Sequence, residues 1–571
     1  MKRLLLATLL VSASPVQAGY LHLCPAAQAP RDGPRASLPG QAAVVAAARA
    51  QLPGCRALPL GVDTALVEAL YPLAPGEQAA HTILLYGPAG QGRFVPSSHE
   101  LPQLDRPGAA PARGPMPLRA NLLSELRIRP FGVEERVRVE QRGGSLHLEC
   151  RAGTRAAGVL LEGPWRLPLA DLRIKASYSA SAAFTLLAAD AAASAKESAH
   201  ALGALPASQG AHEAHEALLP IPGRLERAEW RQFVIGCPQG AASLALDALE
   251  LEPAAVHRRL HPALRSAWIW EAAQWRDQGT ALLAWARSEG IKELFIVVPL
   301  AGAAVREPTR LAVFVRRAGA AGIAVTSVEG DPHMVLPAQR AASVDRVRAY
   351  ADYNRAAAPA ERLRAMQFDV EPYLLPAHLL APAERERAYL ALAQALHAQA
   401  GGTPLEFVVP FWWGEKRELL ARLARFADGL AVMDYRTAPG DIVRFAVPFL
   451  DWGSAHGKRV HIGLEAGPVA PELQRRYLRA GTGEPGQLLL AEAGDTQVLV
   501  LLRQGVQQAA VPRFRLASER LLDGSATSFH GRRGRLQALL PALERDFSAW
   551  PGFAGIALHG WQPDTEGRRL R

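Results

Sequence analysis

The chain has 571 residues, which is too many for one hydrophobic core and predicts two or three domains. Hydrophobic residues make up 49% of it, which excludes an intrinsically disordered protein. The net charge of +10 comes from scattered arginines. The one dense basic cluster, Arg532 to Arg535, has no aromatic residues interleaved with it. Nucleic acid is therefore not an expected partner.

The N-terminus is typical of a secretory signal peptide. A basic start, Met1-Lys2-Arg3, precedes the apolar stretch Leu4 to Val11, and Val16 and Ala18 occupy the −3 and −1 positions of a cleavage site. We expect cleavage after Ala18 and a periplasmic or secreted protein. The apolar stretch is too short to span a bilayer and no later segment reaches that length, so no integral membrane segment is expected after cleavage.

Four cysteines remain after cleavage, and an even number in an exported chain predicts disulfides. Of the three possible connectivities, Cys24–Cys55 with Cys150–Cys237 is the one that respects the domain division below. None of the four lies in the C-terminal half. A cysteine nucleophile or a thiolate metal site is therefore not expected.

Residues 19–119 follow the signal peptide at residues 1–18 and form an N-terminal segment rich in Pro, Gly and Ala. They contain one strand-like run, His81 to Tyr86. The stretch from Pro102 to Pro117 has the composition of a linker. No function is predicted for this segment.

Residues 120–255 carry short runs in which apolar and polar residues alternate, as in Ser145 to Cys150 and Leu172 to Tyr178. Such runs, separated by turn residues, predict an antiparallel β-sandwich. The end of the segment, Trp230 to Pro238 and then Leu244 to Leu251, resembles the last two strands of jelly-roll carbohydrate-binding modules. The sandwich therefore either binds sugar or only supports the domain that follows.

An insertion from Ala191 to Leu219 contains the run His212-Glu213-Ala214-His215-Glu216. Its histidines are three residues apart, whereas a zinc-protease helix needs them four apart, and no third ligand is evident. We expect a flexible polar loop here and no metal site.

In residues 260–571, apolar strand-like runs alternate with amphipathic helices, and eight strands in this alternation predict a (β/α)8 TIM barrel. A long interruption, Gly486 to Ser528, follows the seventh strand and is expected to add a hairpin over the rim. The predicted strands are Ala267–Trp270, Leu294–Val298, Ile323–Ser327, Met366–Glu371, Leu405–Phe411, Gly429–Met433, Val460–Glu465 and Gly555–His559. The predicted helices include Gly279–Ser288, Pro308–Ala318, Pro382–Ala398, Lys416–Arg425 and Arg535–Phe547.

The fourth predicted strand carries two acids, Asp369 and Glu371, at positions i and i+2. Residues two apart on a strand point to the same face, and Gln367 joins them there. Two close carboxyl groups in a half-buried setting cannot both ionise freely, so one pKa is raised, as a general acid requires. Pro372 stops the strand and leaves Glu371 at its C-terminal end.

Acids and aromatic residues recur at the C-terminal ends of the predicted strands, where an enzyme of this fold builds its active site. The opposite strand ends show no such set. Aromatic faces with carboxylates suit a sugar ring, so glycoside chemistry is the favoured function. No cofactor is expected, since there is no Gly-rich phosphate loop and no His/Cys ligand cluster. Besides the acid pair, the candidates are Tyr435 and Glu465 for catalysis and Trp270, Glu329, Asp331, Trp412, Trp413, Asp434, Arg436, His559 and Trp561 for substrate binding.

This set resembles the chitinase-like family 18 glycoside hydrolases, whose fourth strand reads D-x-x-D-x-D-x-E and whose sixth reads M-x-Y-D. Asp369 and Glu371 match the last two acids of the first motif, while Arg364 and Gln367 replace the two earlier ones. The resemblance implies that Glu371 protonates the glycosidic oxygen. It also implies that Asp369 and Tyr435 hold a substrate acetamido group that attacks the anomeric carbon.

The sixth strand keeps Met433 beside Tyr435, with Arg436 in place of the acid. On the third strand Ser327 and Gly330 match the family motif S-x-G-G, and Trp561 matches the tryptophan that ends the eighth. The resemblance covers the barrel only.

The barrel is also similar to the clan A retaining glycosidases, which place an acid/base glutamate after the fourth strand and a nucleophilic glutamate after the seventh. Glu371-Pro372 and Glu465 match those two positions, with Val370 where that group carries asparagine. The pattern further resembles an uncharacterised bacterial barrel family. Our prediction is an exported glycoside hydrolase with a polysaccharide or oligosaccharide as its partner; the alternative is a catalytically silent polysaccharide-binding protein.

Overall fold

The computed structural model of the chain describes residues 20–25, 42–46, 56–73, 82–86, 93–96, 116–132, 136–163, 167–189, 200–208, 214–221, 232–254, 262–375, 379–493 and 496–561. The predicted signal peptide, Cys55, most of the predicted linker, His212 and Glu213 lie outside these ranges. The chain forms two compact units. One comprises Met1–Leu104, Pro376–Pro382 and Val469–Gly524, and the other Asp105–Leu375, Ala383–Pro468 and Ser525–Arg571.

The first unit joins N-terminal strands to strands from the interruption of the barrel sequence. The predicted N-terminal strand is present as Thr82–Tyr86, and it pairs with Glu472–Arg479. Within the predicted interruption, Gly486–Ala493 pairs antiparallel with Thr496–Val506, as a hairpin requires. The pairing with N-terminal strands was not predicted, because pairing between strands so far apart in the chain leaves no local signal. The seven-stranded antiparallel sheet has the order Val67–Leu73, Thr496–Val506, Gly486–Ala493, Arg513–Leu522, Glu472–Arg479, Thr82–Tyr86 and Arg93–Pro96. A smaller sheet has the order Ala42–Ala46, Tyr20–Pro25 and Arg56–Pro59.

The predicted sandwich segment forms two five-stranded antiparallel sheets. The strand Leu172–Ala180 alternates between buried and half-buried residues along its whole length, as the period of two predicts. One sheet has the order His200–Leu205, Phe184–Ala189, Gln232–Gly236, Gly158–Glu162 and Arg127–Phe131. The other has the order His215–Pro220, Leu172–Ala180, Ala242–Pro253, Ser145–Cys150 and Val137–Arg142.

The predicted Cys150–Cys237 disulfide is present, with the two Cα atoms 5.8 Å apart. Cys150 ends a strand of one sheet and Cys237 directly follows a strand of the other, so the bond joins the two sheets. The predicted Cys24–Cys55 pair lies outside the described residues, since Cys55 is not among them.

The loop predicted for Ala191 to Leu219 is wrong where the structure describes it. His215–Pro220 is an edge strand, with His215 opposite Tyr178, and His200–Leu205 is an edge strand of the other sheet. The physical reason is that edge strands with one solvent-facing side tolerate polar and small residues, which resemble loop composition. The remaining histidine and glutamate of the motif lie outside the described residues.

The C-terminal part of the second unit contains a closed barrel of eight parallel strands, called barrel strands one to eight, which confirms the predicted barrel. All but one of the predicted strand starts fall within one residue of those observed, and strand eight starts two residues earlier than predicted. Strand four ends at Phe368 instead of Glu371. In chain order the strands are Ser266–Ile269, Glu293–Ile296, Ala324–Glu329, Met366–Phe368, Leu405–Pro410, Gly429–Met433, Arg459–Glu465 and Phe553–His559.

Helices alternate with these strands, and three of them, Ala272–Arg276, Arg340–Ala356 and Pro439–His456, are absent from our predictions. Ala272–Arg276 has only 5 residues, Arg340–Ala356 is strongly polar and Pro439–His456 contains a proline, Pro448, so none of the three has a clear helical signature. The helices are Ala272–Arg276, Gly279–Ser288, Pro308–Ala320, Arg340–Ala356, Arg385–His397, Arg417–Leu423, Pro439–His456 and Arg533–Phe547. A hairpin, Leu300–Ala301 with Ala304–Val305, follows strand two. Across the part of the chain that the structure describes, no helix has the length and apolar character needed to cross a membrane.

The barrel interior is filled by side chains from several strands, which makes it a packed core. The buried members are Trp268, Phe295, Val328, Val408, Ala431, Met433 and Ala557, with Trp270, Val297 and Tyr435 packed against them. Trp270 and Tyr435 therefore stand at the boundary between this core and the C-terminal ends of the strands.

Candidate active site at the C-terminal ends of the barrel strands

Two acidic side chains lie just past the end of barrel strand four. Asp369 keeps one backbone hydrogen bond to strand three, from its N–H to the Glu329 carbonyl oxygen at 2.6 Å. The proline after Glu371 starts a 3-10 turn over Pro372–Leu374. The chain therefore leaves the barrel at Glu371, with the two acids two residues apart as predicted.

The acid pair holds protons unusually tightly. Burial raises the pKa of Asp369 to about 6, and His559 acts in the opposite direction. The pKa of Glu371 is raised to about 7, first by burial and then by the negative charge of Asp369, again opposed by His559. Near neutral pH the pair can therefore present one protonated and one ionised carboxyl group.

Glu371 contacts Tyr373, the first of three aromatic residues that pack on one another. The Tyr373 hydroxyl donates a hydrogen bond to Glu371 Oε2. The Tyr373 ring meets Trp412 edge to face with the centroids 5.0 Å apart, and Phe411 packs on Trp412 at 5.1 Å. Tyr373 and Trp412 are only half-buried, so they offer ring surface beside the acid. Sequence reasoning missed Tyr373, although it lies two residues from Glu371.

A hydrogen-bonded chain links barrel strands seven, eight and one. The Gly467 N–H donates to Glu465 Oε1 at 2.6 Å. Glu465 Oε2 lies 2.6 Å from His559 Nδ1. The Trp270 indole N–H donates to His559 Nε2 at 2.9 Å. The structure therefore brings the predicted residues Glu465, His559 and Trp270 into one unit.

Tyr435, at the end of strand six, connects this chain to the acid pair. Its ring centroid lies 5.8 Å from that of His559. Burial raises the pKa of the Tyr435 hydroxyl well above its usual value, and the charges of Glu465, Asp369 and Glu371 add to this effect. Tyr435 therefore stays neutral and available as a hydrogen-bond donor.

The acid pair also affects a second tyrosine, Tyr389, which was not predicted as a site residue. Tyr389 is 1% exposed, and its hydroxyl has no hydrogen-bond partner among the described residues. Its pKa is raised well above the usual value, first by burial and then by Asp369 and Glu371. Tyr389 lies on the helix Arg385–His397. Its position in the helical pattern predicts an aromatic side chain that faces the core, and the sequence around it does not indicate a functional site.

Several predicted substrate-binding residues are placed in the protein interior instead. Trp413 is 4% exposed and packs on Tyr389 edge to face. Trp561 is buried, donates its indole N–H to Glu289 at 3.2 Å and lies under the Arg533 guanidinium. Both tryptophans are therefore 4% exposed side chains of the interior. The sequence could not show this, since alternation at a strand end does not reveal which aromatic side chain turns inward.

The predicted binding acids of strand three have protein partners. Glu329 is buried, accepts from Arg346 Nη2 at 2.8 Å and bonds the Tyr350 hydroxyl. Asp331 is largely exposed and caps the turn that follows it, accepting from the His333 N–H at 2.8 Å. Glu329 is therefore held inside the fold, and Asp331 forms a local cap.

The remaining two predicted residues flank Tyr435. Asp434 is fully buried, and its carboxylate oxygens have no hydrogen-bond partner among the described residues. Burial raises its pKa well above the usual value, while the charge of Arg436 acts in the opposite direction. The Arg436 guanidinium lies 4.2 Å from the Phe411 ring centroid and donates to the Tyr435 carbonyl at 2.9 Å. Arg436 thus supports the backbone beneath Tyr435.

The N-terminal ends of the strands carry a second charged cluster, contrary to our prediction that these ends lack such a set. Arg364 donates to Glu293 Oε1 at 2.6 Å and to Glu406 Oε1 at 2.8 Å. Both glutamates are 0% exposed, and Arg459 and His461 lie within 3.5 Å of Glu293. The prediction failed because each acid stands alone within an apolar run, so its partners are visible only in three dimensions.

Ionisation in this cluster is opposite to that of the acid pair. Burial alone would raise the pKa of Glu293, but Arg364, His461 and Arg459 hold it well below the usual range. Burial would also raise the pKa of Glu406, and Arg364 leads the positive charges that lower it. These glutamates are therefore structural anions. Arg364 and Gln367, which replace two acids of the family 18 motif, both bind Glu406, and Gln367 also accepts from the Trp268 indole at 2.7 Å.

The sequence matches no protein-family model and no curated protein sequence. Among solved structures, a mutant of the family 29 carbohydrate-binding module CBM29-2 in complex with mannohexaose is similar at 10% identity. The match covers 22% of this protein and 79% of the CBM29-2 chain, with a TM-score of 0.18. The CBM22-1–GH10 modules of the Clostridium thermocellum endo-1,4-β-D-xylanase 10B, complexed with xylohexaose, cover 62% of this chain and 81% of that chain. Their identity is 10% and their TM-score 0.25. Scores this low carry no argument, so function has to be argued from the site.

The site as a whole combines two carboxyl groups with raised pKa values, neutral phenols and half-buried aromatic rings. Among the described residues, no group of three or more His, Cys, Asp or Glu side chains is arranged to hold a metal ion. The arrangement can donate a proton to a leaving group and stack against an apolar ring face.

Proposed function

We propose that this protein is an exported glycoside hydrolase that cleaves a cell-envelope or extracellular polysaccharide, with Glu371 as the general acid. The observation that carries the proposal is the raised pKa of Glu371, about 7, beside the half-buried carboxyl group of Asp369. Glycosidic bonds break through protonation of the leaving oxygen, and this requires a carboxyl group that keeps its proton near neutral pH.

A binding role alone explains the acid pair less well. Carboxylates that hold sugar hydroxyls accept hydrogen bonds best when they are ionised. At the mouth of the barrel no arginine is placed against Asp369 or Glu371 among the described residues to stabilise that form, and the positive group that lowers their pKa values is His559. Raised pKa values of this kind are typical of catalytic groups in clefts.

The resemblance to family 18 suggests how the bond would break. Glu371 would protonate the glycosidic oxygen while a substrate acetamido oxygen attacks the anomeric carbon. Asp369 and Tyr435 would hold that acetamido group, which makes an N-acetylated sugar the proposed substrate. The half-buried position of Tyr435, together with its neutral hydroxyl, supports this assignment. Trp412, Trp270 and Tyr373 would provide ring surface for neighbouring sugars.

A second mechanism is the retaining scheme of clan A, in which Glu465 is the nucleophile. Its position at the end of strand seven favours this scheme. Against it, both carboxylate oxygens of Glu465 already have close hydrogen-bond partners, Gly467 and His559. We therefore place substrate assistance first.

The other parts of the chain fit the same function. We take the barrel to be a TIM barrel and the two five-stranded sheets to be a jelly-roll-like carbohydrate-binding module. The disulfide between Cys150 and Cys237 suits an exported protein, as does the predicted signal peptide.

The test compares the wild type with Glu371→Gln on chitohexaose, purified peptidoglycan and xylohexaose, with products followed by mass spectrometry. The variant keeps the size of the side chain but cannot donate the proton, so turnover should fall about 100- to 10,000-fold. Glu384→Gln is the matched control, because Glu384 pairs on the surface with Arg387, and it should keep full activity. If the wild type binds these glycans without cleaving any, the protein is a silent binder and the proposal fails.

A further inference from the structure

We infer that Glu465 and His559 act as a positioning pair that fixes the Trp270 indole in the sugar site. This inference rests on the proposed function and assigns Glu465 a role other than that of nucleophile. Its basis is the hydrogen-bonded chain from Gly467 through Glu465 and His559 to Trp270.

The direction of each hydrogen bond in the chain follows from its last member. An indole N–H can only donate, so His559 Nε2, 2.9 Å away, must be the acceptor. A neutral imidazole that accepts at Nε2 carries its proton on Nδ1. That proton points to Glu465 Oε2 at 2.6 Å. The carboxylate thus selects the one tautomer of His559 that can accept from Trp270.

Glu465 is itself held by a close backbone approach. Its Oε1 accepts from the Gly467 N–H, and the side chain is buried. Gly560 has φ +64°, and a Cβ there would lie 2.3 Å from the Gly467 nitrogen and 2.8 Å from Glu465 Oε1. Only glycine allows this contact. The carboxylate is therefore locked on both oxygens, whereas a nucleophile needs an oxygen that can move to the anomeric carbon.

His559 holds aromatic residues as well as the hydrogen bonds. Its ring lies edge to face against Trp270 at 6.1 Å and against Trp268 at 6.0 Å, and Tyr435 is 5.8 Å away. Trp270 is half-buried while Trp268 is 1% exposed. Glu465 and His559 therefore position Trp270, which is the tryptophan of these two that still has exposed surface for a ligand. An aromatic ring that is fixed before binding loses less freedom when a sugar stacks on it.

The first test reads the hydrogen bond directly in the sugar-free protein. The Trp270 indole N–H resonance is assigned in ¹⁵N-tryptophan-labelled protein from its absence in Trp270→Phe. Glu465→Gln can offer its amide N–H to His559, which favours the wrong tautomer, so the resonance should shift and exchange faster with water. His559→Gln places a carbonyl oxygen near the former Nε2 and should retain more protection than His559→Asn. An unchanged resonance in Glu465→Gln overturns the inference.

The second test separates positioning from nucleophilic attack. For a positioning role, Glu465→Ala weakens chitohexaose binding about tenfold, with a smaller change in kcat, and adds little in the Trp270→Phe background. A nucleophile predicts instead a loss of kcat that added azide restores, with a glycosyl azide as product, and that result overturns the inference. The resonance test needs no turnover. If no glycan is cleaved, the proposed function fails while the role of Glu465 is still decided.

Discussion

Each end of the barrel carries a pair of acids, fully buried at one end and half-buried at the other, and the two pairs ionise in opposite ways. At the N-terminal ends of the strands, Arg364 bridges Glu293 and Glu406 and holds both pKa values low. At the C-terminal ends, Asp369 and Glu371 have no such bridge among the described residues, and their pKa values rise to about 6 and about 7.

This difference shows that burial alone does not decide whether the pKa of an acid is lowered or raised. Desolvation raises the pKa in both places, so the neighbouring charges determine the outcome. A guanidinium with good geometry turns two buried acids into anchors of the barrel. Where no guanidinium is placed against the acids among the described residues, burial raises both pKa values, as the proposed proton donor Glu371 requires.

The largest expected effect comes from removing the bridge. Arg364→Met leaves Glu293 and Glu406 buried without their main partner, which should cost about 3 to 5 kcal/mol in the free energy of unfolding. Urea unfolding at pH 7 measures the loss. Arg387→Met, at an exposed pair with Glu384, is the control and should change stability by less than about 0.5 kcal/mol. If Arg364→Met loses no more stability than the control, Arg364 does not stabilise Glu293 and Glu406 as we state.

The next effect concerns stability and pH at the opposite end. The pKa of Glu371 is about 7 in the folded protein against an ordinary value of 4.5. The folded state therefore binds the Glu371 proton more tightly than the unfolded state does. The stability that this proton contributes is fully present below pH 4.5 and is lost as the pH rises through 7. Glu371→Gln removes this loss, so the variant should match the wild type at pH 4 and exceed it by roughly 1 to 3 kcal/mol at pH 8. Thermal unfolding across this range gives the test, and a variant that is less stable at pH 8 would contradict it.

A smaller effect should appear in the pH profile of activity. The charge of Asp369 contributes to the raised pKa of Glu371. Asp369→Asn removes that charge, so the alkaline limb of kcat/KM should move to lower pH by up to about one unit. An alkaline limb that stays in place would show that Glu371 is raised by burial alone.

The smallest effect is expected at Asp331, which was predicted from the sequence to bind substrate. Its side chain is 60% exposed and caps a turn through the His333 N–H. Asparagine caps equally well, so Asp331→Asn should change stability by less than about 0.5 kcal/mol and leave activity unchanged. Activity that falls tenfold or more would return Asp331 to the substrate-binding residues.

Much of the barrel could be predicted because its strands are continuous apolar runs. Gly429–Met433 and Gly279–Ser288 have the bounds predicted for them, since hydrophobic periodicity is a local property. The acid pair was visible for the same reason, as i and i+2 spacing places two side chains on one face. The helix Arg340–Ala356 was missed because its composition is strongly polar.

What could not be predicted depends on contacts between distant parts of the chain. Trp412 and Trp413 are adjacent in sequence, yet Trp412 is half-buried beside Tyr373 and Trp413 packs on Tyr389. Glu465 and His559 are 94 residues apart, and their bond follows from the pairing of strands seven and eight. Likewise the pairing of Thr82–Tyr86 with Glu472–Arg479 has no counterpart in local pattern.

The most direct test of the central claim is a titration of the glutamate side chains by carboxyl ¹³C NMR, with Glu371 assigned from its absence in Glu371→Gln. We predict that the Glu371 resonance titrates near pH 7, while no resonance of Glu293 or Glu406 titrates above the ordinary glutamate range. A Glu371 pKa at or below the ordinary 4.5 would contradict the account, because the proposed general acid would then have lost its proton at neutral pH.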